Sequence, residues 1–347
     1  MLNKIKVDKK FIGEKEPCFI IAEIGSNHNN DWDLALEHID AAVSAGADAV
    51  KIQTFKADSH VSKKVRLPSD PKGEKTTHGL LKSLEINRDW QEPLFDYCKK
   101  NNIIFFSSPC DFEAVDQLDK IGVSIHKVAS FDLPDLTLVE YIAKKLKPII
   151  LSTGMADWME IQRAVDICRK AGNNKIILLQ CTSLYPAPAQ LSNLRSMNVM
   201  SKMYNVHTGY SDHTIGDTIA CAAVAMGAKV IEKHFTLDRK LEGPDHHFAI
   251  EPDELKNMIL KIREIESSIG DGLKIGPRSE ESENAKYGKR SIHASLNIDS
   301  GQIITKEMLA IKRPGFGISP YRINEIINKK AKRAIEEDEW ITWDMIK

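Results

Sequence analysis

The chain has 347 residues, 42% hydrophobic and 28% charged, with a formal net charge of -1. A barrel-sized domain of about 250 residues leaves room for a small second one, and the near-neutral balance argues against a nucleic-acid or membrane-surface partner. Cys18, Cys98, Cys110, Cys168, Cys181 and Cys221 form no C-x-x-C pair, the start MLNKIKVDKK lacks a signal-like apolar region, and no run approaches the roughly 18 apolar residues of a membrane span, so reducing cytoplasm is the expected setting.

Between residues 19 and 235, eight short apolar runs alternate with helix-like stretches. In order they are CFIIAE ending on Glu23, AVKIQ with Lys51 and Gln53, IIFFSS ending on Ser108, and IHKVAS with Lys127 and Ser130. PIILST with Ser152, KIILLQC leading to Thr182 and Ser183, VHTGYSD leading to His213, and KVIEKHF with Glu232 and His234 complete the set. Parallel strands are buried on both faces and read as continuous apolar runs, whereas the polar residue closing each run has no place in a purely structural sheet. The pattern is that of a TIM (β/α)8 barrel, whose chemistry sits at the C-terminal strand ends. Helices are expected at 31–45, 87–100, 111–120, 134–145, 157–170, 216–226 and 252–268, the last with Pro252 in its first turn and Gly270 past its end.

The connection 55–84 is polar, contains Pro and Gly, and is out of proportion to the others; a lid or subunit contact and a plain surface insertion are equally compatible with it. After Gly270 the charged segment 271–289 reads as a linker between a barrel domain, 1–270, and a small domain, 290–347, with short strand-like runs and a short helix at 320–328. A unit that small has little core, so docking or oligomerisation is expected to support it.

Three constellations carry the chemistry. His213 of SDHT and His234 of EKHF end successive strands and should be near neighbours. A lone strand histidine is ordinarily structural, but two imidazoles without thiolates suit a labile Mn²⁺ or Mg²⁺ site better than a closed zinc site. Lys51 and Lys127 interrupt buried strands and need anionic partners; Glu23 and Glu232 would serve, and so would a phosphate ligand met by the hydroxyls of Ser108, Ser130, Ser152 and Ser183. Glu23 is also a candidate to orient a hydroxyl or act as general base. Asp245 in Gly-Pro-Asp is a second carboxylate on that face, although an Asx-turn is the commoner role of such an aspartate.

The motifs IAEIGSNH, KIQTF, KVAS, LSTGM, LQCTSLYPAP, GYSDHT, IEKHFT, GPDH, EPDEL and KRPGFGISP, in this order, resemble the sialic acid synthase family, the phosphoenolpyruvate-condensing nonulosonate synthases. The resemblance spans essentially the whole chain, including a C-terminal part similar to the antifreeze-like (SAF) domain. It implies condensation of phosphoenolpyruvate with N-acetylmannosamine or a related 2-acetamido hexose, through C–O cleavage, to a nine-carbon 2-keto acid sugar and phosphate. It also implies His213 and His234 as ligands of a divalent metal, with Mn²⁺ the first choice and Mg²⁺ or Co²⁺ as substitutes. Lys51, Ser108, Lys127, Ser130 and Ser152 would hold phosphoenolpyruvate, with Ser183, Tyr185, Ser211 and Glu232 nearby. Gln53 would join the substrate site, Glu23 and Asp245 would bind the acceptor, and Arg313 would reach its N-acyl group from the other subunit of a domain-swapped homodimer.

KVASFD departs from the Gly-Ser-Gly-Glu form of the sialate and legionaminate branch and looks more like the pseudaminate or spore-coat homologues, whereas GPDH and RPGFGISP look like the former. A Schiff-base pyruvate aldolase using Lys51 or Lys127 is the rival enzyme. A non-catalytic carbohydrate- or ice-binding protein is the rival of another class, and it leaves the polar strand ends unexplained.

Overall fold

A computed structural model describes residues 2–66 and 76–347. The middle of the long polar connection, 67–75, lies outside the described residues. The chain forms two compact units, Met1–Gly270 and Asp271–Lys347.

The first unit opens with an antiparallel hairpin, β1 (Ile5–Val7) and β2 (Lys10–Ile12). Eight parallel strands follow: β3 (Phe19–Gly25), β4 (Ala49–Thr54), β5 (Ile104–Pro109), β6 (His126–Val128), β7 (Ile149–Ser152), β8 (Ile176–Cys181), β9 (His207–Asp212) and β10 (Val230–His234). They coincide with the eight apolar runs. All seven residues of β3 are buried, as expected of a strand covered on both faces.

Sheet order is β5-β4-β3-β10-β9-β8-β7-β6, so the first and last barrel strands in space are consecutive in sequence. β5 and β6 lie side by side and close the ring, although no ladder pairs them among the described residues. Register places Glu23 beside both Lys51 and His234. Because side chains alternate along a strand, Lys51 with Gln53 and Glu232 with His234 share the inward face.

The helices are α1 (Trp32–Ala45), α2 (Ala57–His60), α3 (Thr77–Leu84), α4 (Gln91–Lys100), α5 (Phe112–Ile121), α6 (Leu136–Ala143), α7 (Trp158–Lys170), α8 (Arg195–Tyr204), α9 (Thr218–Ala225) and α10 (Pro252–Ile269). Local chemistry sets their ends. Asp31 caps α1 by accepting from the Leu34 N–H, Gly46 ends it at φ 88°, and Asp157 with Glu160 forms a capping box on α7; each such cap contributes about 1 kcal/mol.

Three of these ten helices were not expected. α8 has no side-chain cap and buries Ser196, Met197, Met200 and Tyr204, while α2 and α3 lie inside the long connection 55–84, for which no helix was expected. At the N-terminal ends of the strands the hairpin is tied to the barrel: Lys10 pairs with Asp48, Asp48 accepts from the Ile20 N–H at 2.7 Å, and the His207 ring lies 2.9 Å from the Asn3 carbonyl. That end of the barrel is therefore occupied by the chain itself.

In the second unit, α11 (Ser282–Gly288) falls within the stretch expected to be a linker. β11 (Ser291–Ala294) pairs antiparallel with β12 (Leu309–Lys312), and the short helix α12 (Ile323–Ile326) follows a 3-10 turn at Pro320–Arg322. Its small core gathers Ile292, Ile298, Ile304, Ile318, Ile335 and Ile341. The bridges Ile298 to Ile335 and Ala331 to Ile346 tie the chain end into that core.

Candidate active site

The C-terminal strand ends surround a cavity of about 480 Å³. Glu23, Lys51, Gln53, Ser108, Lys127, Ser130, Ser152, Tyr185, Ser211, His213, Glu232, His234 and Asp245 all line it, so nearly every residue singled out in the sequence converges there. Ser183 is not among the lining residues, but its hydroxyl meets Gly154, Ser130 and Cys181 at one point: a Cβ on Gly154 would collide with Ser183 Oγ and come within 2.9 Å of Ser130 Oγ and 3.2 Å of Cys181 Sγ. Gly154 is what lets these groups close up. Arg313 is exposed and belongs to the second unit.

A charge quartet occupies the interior. Lys51 Nζ lies 2.8 Å from Glu23 Oε2 and 3.8 Å from Glu232 Oε2, and Lys127 Nζ lies 3.4 Å from Glu232 Oε1. Lys51 donates to Ser108 Oγ at 3.1 Å, Gln53 to Glu23 Oε1 at 3.0 Å, and Ser211 to Glu232 Oε1 at 2.9 Å. Two ammonium groups thus face two carboxylates. Burial raises the Glu23 pKa despite Lys51, whereas for Glu232 the same desolvation is outweighed by Lys127 and Lys51, which hold it below the usual carboxylate range. Desolvation depresses Lys127 even with Glu232 beside it; Lys51, equally desolvated but flanked by Glu23 and Glu232, is raised. Two carboxylates whose environments push them apart suit different proton roles.

The two imidazoles stand next to each other, with ring centroids 5.3 Å apart. Tyr185 packs on His213 at 4.3 Å and edge-on to His234 at 5.8 Å. His213 Nδ1 lies 2.7 Å from the Thr182 carbonyl, which can only accept, so Nδ1 carries the proton and Nε2 keeps a free lone pair. Desolvation holds His234 well below its ordinary pKa, and its buried Nδ1 has no hydrogen-bond partner among the described residues. His234 therefore offers a neutral nitrogen, the state a metal ligand needs; for His213 the lowering by desolvation is outweighed by Cys181 and the Thr182 carbonyl, which raise its pKa, so its Nε2 is available once the ring gives up its second proton. Asp245 Oδ2 is 3.6 Å from His234 Nδ1, which places this carboxylate in the site and not in an isolated Asx-turn. Among the described residues the hydroxyls of Ser152 and Ser183 are likewise buried without a partner, and unpaired buried hydroxyls call for a polar ligand.

Sequence reading missed part of the wall. Phe55, His60, Val61, Thr77 and Leu81 from the long connection line the cavity, so that stretch is not a plain surface insertion. Cys110 and Asp132 line it too, each two residues beyond a serine that had been singled out. That spacing was a usable signal. His246, by contrast, is buried against Thr236 Oγ1 at 2.6 Å.

A cavity lined by charged, hydroxyl and imidazole groups at the C-terminal mouth of a parallel barrel defines an enzyme of the (β/α)8 class. The NeuB family model matches residues 38–274 and the SAF domain model residues 289–347. The chain is 42% identical over 330 residues to the N,N'-diacetyllegionaminic acid synthase of Campylobacter jejuni, covering 93% of this chain and 98% of that one. It is 37% identical over 339 residues to a pseudaminic acid synthase of Campylobacter jejuni, covering 96% of each. The crystal structure of N-acetylneuraminic acid synthetase from Leptospira borgpetersenii, in complex with citrate, superimposes with a TM-score of 0.74 at 36% identity, over 82% of this chain and 95% of that one. The chain belongs to the NeuB family, the nonulosonic acid synthases, with a C-terminal SAF domain.

Proposed function

We propose that this enzyme condenses phosphoenolpyruvate with N-acetylmannosamine or a related N-acylated hexose, giving a nine-carbon 2-keto acid sugar and phosphate by C–O cleavage. The observation that carries this reading is the convergence of two buried lysines and the hydroxyl of Ser152, unpartnered among the described residues, on the cavity that also holds the paired imidazoles, with the likewise unpartnered Ser183 hydroxyl beside Gly154. Ammonium groups and hydroxyl donors around one point match phosphate and carboxylate oxygens.

The donor set fits a divalent cation, Mn²⁺ in preference to Mg²⁺ or Co²⁺, held by His213 and His234. When bound, such a cation supplies Lewis-acid polarisation of the acceptor's carbonyl, worth several kcal/mol. Charge balance supports it as well. The Lys–Glu quartet is neutral by itself, so a multiply charged anion entering this desolvated space needs further positive charge.

The chain's own groups do the rest. Lys51, Lys127 and the serines fix the phosphate and carboxylate so that C3 of phosphoenolpyruvate faces the acceptor's carbonyl carbon. Carbon–carbon bond formation leaves a cationic centre at C2, which water captures before the C–O bond to phosphate breaks. Glu23, with its raised affinity for a proton, is placed to steer protons or the aldehyde, and Asp245 and Gln53 to hold the acceptor. In this reading Arg313 reaches the N-acyl group from the partner of a domain-swapped homodimer. The six free cysteines agree with a cytoplasmic setting, and no helix among the described residues is long and apolar enough to cross a membrane.

Phosphate release from phosphoenolpyruvate, measured with Mn²⁺ over N-acetylmannosamine, its 4-deoxy-4-amino analogues and 6-deoxy diacetamido sugars, tests the reading. Release with at least one acceptor, lost in chelator and in His213→Ala, is expected. Release from no acceptor, or full activity in excess chelator, would overturn the reading or its metal component respectively.

One observation favours a second reading: burial depresses Lys127, as a Schiff-base lysine requires. Borohydride trapping with pyruvate separates the two. A condensing synthase gives no covalent adduct, and Lys127→Ala chiefly raises KM for phosphoenolpyruvate; a pyruvyl-lysine mass would establish the aldolase.

A further inference from the structure

The cavity wall carries a second set of donors that the proposed condensation does not use. His60 ends α2, Cys110 follows β5 and Asp132 follows β6, and all three line the cavity. One donor atom from each, a ring nitrogen, a sulfur and a carboxylate oxygen, lie within 4.8 Å of one another. Cys110 Sγ donates to Asp132 Oδ2 at 3.4 Å, and His60 Nδ1 stands 3.8 Å from Asp132 Oδ1. The His60 ring stacks on Phe55 with centroids 5.7 Å apart and planes 24° apart, which fixes its orientation. Each residue is half-buried, which leaves the cluster open enough for an ion to enter.

The donor chemistry is selective. A thiolate, an imidazole and a carboxylate together are the ligand types of Zn²⁺ and of its spectroscopic substitute Co²⁺, whereas Mg²⁺ and Mn²⁺ prefer oxygen and imidazole. We propose that His60, Cys110 and Asp132 form a second cation site of the Zn²⁺ class, separate from the histidine pair and opening into the same cavity. Three protein ligands leave a fourth position facing the cavity, to be taken by water. As the metal–sulfur bond forms, the Cys110 proton leaves to solvent. The site makes the enzyme responsive to thiophilic metals, since its occupant takes up space in the substrate cavity.

The site is independent of the proposed reaction and is tested without turnover. Co²⁺ is titrated into the full chain while the near-ultraviolet thiolate-to-cobalt charge-transfer band and the bound stoichiometry are followed. Wild type is expected to bind two equivalents with the band, and Cys110→Ser and His60→Ala one equivalent without it. Cys181→Ser must keep the band, because Cys181 Sγ lies 3.9 Å from His213 Nδ1 and is the competing thiol. The His213→Ala/His234→Ala variant should retain one equivalent and the band; circular dichroism checks its fold, and the single-site variants decide the matter if it does not fold. No band in wild type at saturating Co²⁺, or a band that persists in Cys110→Ser, overturns the second site and leaves the proposed reaction untouched.

Discussion

Lys51 and Glu23, register partners on adjacent parallel strands, meet at 2.8 Å in the barrel interior, both at least 98% shielded from water. Removing one member of such a pair strands the other charge, at a cost of about 3–5 kcal/mol, whereas replacing both with neutral groups can be close to neutral. Lys51→Met is therefore expected to lower unfolding stability by about 3 kcal/mol, with Glu232 absorbing part of the imbalance, and Lys51→Met/Glu23→Gln to recover most of the loss. Both should be inactive in phosphate release. Equal stability of the single and double variants in urea would mean that the pair is not coupled.

Gly154 donates its N–H to Ser130 Oγ at 3.0 Å and has no room for a Cβ beside Ser183 and Ser130. Gly154→Ala should cost about 1–3 kcal/mol through overpacking. By displacing two hydroxyls it should also raise KM for phosphoenolpyruvate more than KM for the acceptor. Unchanged kinetics would show that neither serine touches the anion.

Burial holds His126 down at about 4, against an ordinary 6.5, and both of its ring nitrogens lack hydrogen-bond partners among the described residues. Between these values the unfolded chain binds the extra proton, so stability is lost as pH falls from 6.5 towards 4, by at most roughly 3 kcal/mol for this group. His28 and His38, also held at about 4 by burial, act in the same direction. The melting temperature should drop between pH 7 and pH 5, and His126→Leu should flatten the decline. An identical decline in the variant would remove His126 from the account.

If Arg313 serves the barrel of the partner subunit, Arg313→Ala and His213→Ala should complement each other. A heterodimer then has one site with an intact barrel and an intact arginine, so random subunit exchange restores up to about a quarter of wild-type activity. Mixtures with heterodimers verified by differential tagging that stay inactive would show that each arginine serves its own barrel.

The eight strands were legible because parallel strands buried on both faces leave a mainly apolar signature, against which interruptions such as Lys51, Lys127 and Glu232 stand out. The same interruptions exposed most of the site. α8 escaped because RSMNVMSKMY scatters polar residues among its buried methionines and has no capping side chain at its start. The wall formed by Phe55, Val61 and Leu81 was invisible for another reason: apolar residues carry no chemical mark until a fold turns them towards a cavity. His60, Cys110 and Asp132 come from three different elements, and only closure of the ring brings them together.

That closure is uneven. Adjacent strands elsewhere in the ring share a ladder, but β5 and its neighbour β6, a strand of only three residues, do not. Backbone amides at this joint should exchange with solvent sooner than those of β3 or β8, since local opening there breaks no inter-strand ladder. Cys110 stands on one bank of the joint and Asp132 on the other, so an ion held by both would act as a clasp across the barrel's weakest line.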